Sequence, residues 1–189
     1  MSKILQFKIS LKNIEPKIWR RFLVPSDINF YVMHLIIQNV MGWHNAHMHQ
    51  FLHNRNTSII GDPELLDHDD ATDATQYCIS DYFTEPRKSI LYEYDLGDGW
   101  LHELVFEKAL DTEVGKYYPL CLEGQGNCPP EDCGGLPGFS NLVKAMKKKK
   151  GKEYLELKDW LGGDYDPTEF DLEYINKILK TYRSVDWKT

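Results

Sequence analysis

The stretch SILYEYDLGDGWLHELVFEKAL, Ser89 to Leu110, constrains the fold more than any other. Two segments of alternating apolar and polar residues flank Gly97-Asp98-Gly99, the pattern of a β-hairpin. A two-residue turn at Asp98-Gly99 pairs Asp95 with His102. A three-residue loop over Gly97, Asp98 and Gly99 instead pairs Tyr94 with His102 and Leu96 with Trp100. This second register gathers Ile90, Tyr92, Tyr94, His102, Leu104 and Phe106 on one face. Glu93, Asp95, Glu103 and Glu107 fall on the other, so the three-residue loop is preferred. It turns His102 inward, where a buried imidazole needs a partner.

The elements around the hairpin follow from the same kind of patterning. Lys3 to Asn13 and Ile18 to Val24 alternate as two strands joined by a turn. Apolar residues at helical spacing predict a helix from about Phe30 to Met41, with Ser26 or Asp27 as N-cap and Gly42 closing it. HNAHMHQFLHNR reads as a strand with His47, His49, Phe51 and His53 on one face. Ile59 to Tyr77 is an acidic loop. Phe139 to Lys150 and Glu153 to Leu161 read as short helices. A third follows, with Asp166 and Asp171 as competing starts and Leu172, Ile175, Ile178 and Leu179 as its apolar stripe. Strands first and helices last imply a single α+β domain over residues 1–189: a mainly antiparallel sheet, an N-terminal hairpin followed by a helix, and helices over about 139–183 packed on the sheet.

At 189 residues and 42% hydrophobic composition the chain can bury a sizeable core without staples. Its net charge of -7 opposes phosphate backbones, so nucleic acid is a disfavoured partner. The one dense cationic run, Lys144 to Lys152, is explained by a solvated helix end. No window approaches the ~20 apolar residues of a membrane span. The N-terminus does not read as a secretory leader, and the expected location is cytoplasmic.

Four motifs, GWHNAHMHQF, YEYDLGDGWLHELVFE, CPPEDCGGLPGF and WLGGDYDPTEFDLEYIN, occur in this order over most of the chain. In combination they resemble the plasmid pRi ORF-three-like family, whose members often carry an insertion-element passenger label of TnpR type. The resemblance implies an α+β domain of bacterial and archaeal genomes and mobile elements. It implies no established biochemical activity and no catalytic residues to carry over.

The chemistry-bearing residues leave several readings open. Cys128-x4-Cys133, with Cys121 as a third thiol and His47, His49 and His102 on neighbouring strands, offers a zinc ligand set. A rigid Pro-Gly loop with small packed thiols stands ahead of it, and a Cys128–Cys133 disulfide comes third, disfavoured in a reducing compartment. HMHQFLH lacks the Asp and the downstream ligands of an HxHxDH metallo-hydrolase. His102 and Glu103 point to opposite faces and cannot serve one substrate atom. Strand-exchange chemistry needs clustered arginines, yet of the five present only Arg20 and Arg21 are adjacent, and a strand turns them to opposite sides. No catalytic residue is assigned. The expected function is a non-enzymatic binding or accessory module for another protein, with a groove at Trp43, Asp95, Trp100 and Phe139. A zinc-dependent enzyme or zinc-stabilised domain is the rival, and a nucleic-acid-associated protein using the lysine run is the third class. Exposed hairpin edges are a further means of accepting a partner strand.

Overall fold

The structure, a computed structural model, describes residues 3–54, 57–61 and 71–181. It has the predicted α+β architecture. Strands β1 (Ile4–Leu11) and β2 (Trp19–Pro25) form the N-terminal hairpin, and helix α1 (Phe30–Met41) follows. Next come β3 (His49–Asn54), β4 (Thr57–Gly61), β5 (Thr72–Asp73), the single turn α2 (Ile79–Tyr82), β6 (Ser89–Tyr94), β7 (Trp100–Leu110) and β8 (Leu120–Gln125). Helices α3 (Gly135–Lys148), α4 (Lys152–Leu161) and α5 (Leu172–Leu179) complete the described chain. The strands form one sheet in the order β5-β4-β3-β6-β7-β1-β2-β8, antiparallel throughout except for the β4–β5 pair.

Alternation decides which side of the sheet is wet. Phe7, Ile9, Phe22, Phe51, Tyr92 and Leu104 are fully buried on one face, under α1. Phe30 of α1 meets Phe51 edge-on, with ring centroids 4.9 Å apart. On the other face Arg21 forks onto Glu107 at 2.7 and 2.8 Å and also pairs with Glu123, while Gln6 donates to Glu107. This paired charge ladder keeps one face solvated.

Three local expectations change. The N-cap of α1 is Asn29, not Ser26 or Asp27: its Oδ1 accepts from Val32 N at 2.9 Å. The β6–β7 register pairs Tyr94 with Trp100 and Tyr92 with His102, so the loop runs from Asp95 to Gly99 and is two residues longer than predicted. Its cause is Asp95, whose Oδ1 accepts from Gly97 N and Asp98 N while its carbonyl accepts from Gly99 N. A shift of two preserves the faces of the predicted hairpin, but Asp95 leaves the wet face for a left-handed turn at φ 54°. Within the acidic segment Ile59 to Tyr77 lie β5 and the end of β4; its residues 62–70, like the side chain of His53, fall outside the described residues.

Toward the C-terminus α3 begins at Gly135, four residues before the predicted start. Asp171 wins the competition to start the last helix, accepting from Tyr174 N, while Asp166 closes a local turn on Thr168. Cys121 belongs to β8, opposite Phe22, and not to the loop that follows. The outer edge of β8 is occupied: Asn176 of α5 accepts from Cys121 N at 2.8 Å and donates to Cys121 O at 2.9 Å, as a neighbouring strand would.

Arg20 and Arg21 do point to opposite faces. Arg20 is 2% exposed, and its guanidinium donates to the carbonyls of Val40, Trp19, Gln125 and Gly126 at 2.8–2.9 Å. Phe170 stacks on it, 4.7 Å from Cζ to the ring centroid. Replacing Arg20 with Met strands buried carbonyls, so a destabilisation of about 3 kcal/mol is expected in urea unfolding, with Arg20→Lys falling between Met and the parent. A loss below about 1 kcal/mol for Arg20→Met contradicts this role.

Candidate functional site

Three segments far apart in sequence meet at one end of the sheet: the α1–β3 connection, the β6–β7 loop, and the CPPEDCGG segment. Trp43 Nε1 donates to Pro129 O at 3.0 Å, and Tyr165 OH donates to the carbonyls of Asn127 and Cys128. Gly134 N donates to Asp98 Oδ2 at 3.1 Å. Gly135 must be glycine, because its φ is 62° and a Cβ would lie 2.8 Å from Asp98 O. The thiol-bearing segment is thereby folded back over the hairpin tip beside the histidine-bearing strand.

The meeting point is an imidazole facing three carboxylates. His47 Nε2 lies 3.2 Å from Asp132 Oδ1, 3.8 Å from Asp95 Oδ2 and 3.8 Å from Glu131 Oε2. Two of the carboxylates are held by their other oxygen. Glu131 Oε1 accepts from His44 N and Tyr94 OH, both at 2.9 Å, and Asp95 Oδ1 accepts from the two amides of its own turn. The oxygens left over point at His47. Neither His47 Nε2 nor Glu131 Oε2 is exposed to solvent, and neither makes a hydrogen bond. Asp132, with its side chain 74% exposed, forms the open rim.

The predicted site residues divide. Among the described residues, the His, Cys, Asp and Glu donor atoms that come within 4.8 Å of one another in threes are those of His47, Asp95 and Asp132. Cys121, Cys128, Cys133, His49 and His102 form no such group, with or without His47. Cys128 is buried and its thiol is pushed well up by burial; burial also drives Cys133 to about 12 and Cys121 to about 11. All four cysteines are free thiols. Trp43, Trp100 and Phe139 are at most 5% exposed, so they build the floor under this end of the molecule. Trp43 and Phe139 border separate depressions.

Glu131 and Asp132 were not singled out by the sequence. Their signal was an acidic pair between two prolines and two glycines, masked there by the cysteines on either side.

His49 and His102 serve the core. His49 stacks on His34 with ring centroids 3.4 Å apart and planes within 4°. His34 bonds through Nδ1 to Tyr92 OH and through Nε2 to Asn45 Oδ1. His102 Nδ1 lies 3.1 Å from Tyr92 O. Burial, and for His34 the neighbouring His49, depress His34 to about 3; burial depresses His102 to about 4. An unfolded chain titrates these rings near 6.5, so below that pH it binds protons the native state refuses. Stability is therefore expected to be flat between about pH 7 and 8 and to fall on acidification from about 6.5 towards 4, by up to about 1.4 kcal/mol per pH unit for each ring. Urea midpoints at pH 7 and pH 5 check this; equal midpoints contradict it.

Comparison with known proteins adds the family. The family described as plasmid pRiA4b ORF-3-like protein matches residues 3–174. An uncharacterised protein, y4hQ, of Sinorhizobium fredii (strain NBRC 101917 / NGR234) is 32% identical over 182 residues, spanning 95% of this chain and 92% of its own. The crystal structure of a protein of unknown function, MM3350 from Methanosarcina mazei Go1, superposes with a TM-score of 0.79 at 35% identity, covering 92% of this chain and 97% of that one. Among the described residues no helix is long and apolar enough to cross a membrane. The four ordered motifs, the mixed sheet and these relatives agree: the chain belongs to the plasmid pRiA4b ORF-3-like family.

Proposed function

We propose that this chain is an accessory binding module whose three-segment junction takes up one divalent cation through His47, Asp95 and Asp132, with Glu131 facing the same imidazole. The observation behind this reading is the set of carboxylate oxygens aimed at one imidazole nitrogen, with His47 Nε2 and Glu131 Oε2 shielded from water and without hydrogen bonds. The carboxylates of Asp95 and Glu131 are largely shielded from water, and a cation beside them offsets the cost of that burial. An imidazole nitrogen with carboxylate oxygens suits Zn2+ or Mn2+ better than a soft, thiol-seeking ion.

Second-sphere bonds favour the same reading, since Tyr94 OH, His44 N and the Asp95 turn amides fix the carboxylates as such contacts fix metal ligands. Asn45, Asp95 and Asp132, one in each converging segment, are left-handed non-glycine residues, three of the six such residues described. Backbone held in this region gathers at ligand clamps. Exposed Met48 and Leu96 border the junction, which fits docking of a partner protein beside a cation clip.

Chelator-stripped protein is expected to bind about one equivalent of Zn2+ or Mn2+ by calorimetry. Its unfolding free energy should rise by about 2.7 kcal/mol at a hundredfold excess over Kd. The double variant His47→Gln, Asp132→Asn should bind at least about tenfold more weakly. Less than about a tenth of an equivalent of either ion, or undiminished binding by the double variant, overturns the assignment.

A further inference from the structure

A second surface lies beside the junction, across the first turns of α3. The end of the β1–β2 hairpin and α3 enclose a cleft of about 750 Å3 whose lining includes Lys8, Lys12, Lys17, Trp19, Leu136 and Phe139. Its walls are fixed: Lys12 N donates to Leu101 O at 2.9 Å, and α3 is anchored by the close approach of Gly135 to Asp98. Buried Leu11, Ile14 and Phe139 form an apolar base.

The three lysines set the character of the cleft. On the solvated face of the sheet Arg21 is paired with Glu107. None of Lys8, Lys12 and Lys17 comes within 4.0 Å of a carboxylate oxygen among the described residues. Lys8 sits instead over the Trp19 ring, 4.6 Å from its centroid. The acidic residues of the lining are Glu15 and Glu103.

We propose that this cleft docks an acidic segment of a partner protein, its carboxylates opposite Lys8, Lys12 and Lys17 and an apolar side chain seated on Leu136 and Phe139. The inference goes beyond the cation reading, since neither Glu131 nor any of the three ligands lines the cleft. Charge complementarity selects the partner's sign, and the apolar base selects a peptide over a bare anion. Nucleic acid fits less well. Glu15 and Glu103 stand in the same lining, and the net charge of -7 repels a polyphosphate backbone.

The test uses a phage-displayed peptide library selected on the immobilised full-length chain, with recovered peptides synthesised and measured by fluorescence anisotropy. Peptides rich in Asp and Glu around an apolar anchor are expected. They should bind the parent at least about tenfold more tightly than the variant K8Q/K12Q/K17Q, with the difference shrinking at high salt. Circular dichroism verifies that the variant folds; should it not, Leu136→Glu, at a half-buried position, takes its place with the same expected loss. Three results overturn the proposal: no enriched acidic sequences, equal binding to parent and variant, or a single-stranded oligonucleotide that binds the parent more tightly than the recovered peptides.

Discussion

The arrangement of this molecule depends on one buried guanidinium. Arg20 stands on β2, yet it gathers carbonyls from the end of α1, from its own strand and from the end of β8. Burial lowers its pKa, but a guanidinium ionises so far above neutrality that it keeps its proton. The charge must therefore be solvated by dipoles inside the protein. Val40 lies in the last turn of α1, the negative end of the helix dipole, and that turn has no basic residue of its own. A strand thus supplies the cation the helix lacks. Gly126 O, another acceptor, is two residues before Cys128, so the same contact sets where the loop carrying Glu131 and Asp132 departs from the sheet.

With that departure point fixed, the loop is held in stages. Tyr165 clamps its first carbonyls, Trp43 its proline, and Asp98 the amide at the start of α3. Each clamp is a buried or half-buried aromatic or a turn carboxylate, and each comes from a different part of the chain. The acidic pair is therefore positioned by the tertiary fold, with little contribution from local sequence. Such positioning is what a preformed ligand site requires.

Much of this was legible in the sequence, for reasons specific to each element. The bounds of α1 follow from an apolar stripe ending on Gly42, and both determinants are local. The faces of the β6–β7 hairpin follow from alternation, which survives a register shift of two. The loop length does not, because it depends on how Asp95 uses its carboxylate. The role of Asn29 turned on one hydrogen bond that Ser26 and Asp27 were equally equipped to make. Cys121 was legible as a thiol but not as a strand residue, since a six-residue edge strand beside prolines and glycines has a weak pattern of its own. The partnership of His47 with Asp95, Glu131 and Asp132 spans more than eighty residues of chain, and no spacing rule reaches that far.

The amide of Asn176 on the rim of β8 bears on how this protein can associate. A lone outer strand is ordinarily an invitation to lateral growth, the route to strand swapping and fibrillar stacking. Here a helix side chain fills the vacant ladder rung, and at the opposite limit of the sheet β5 is only two residues long. Sideways extension of the sheet is blunted at both of these described limits.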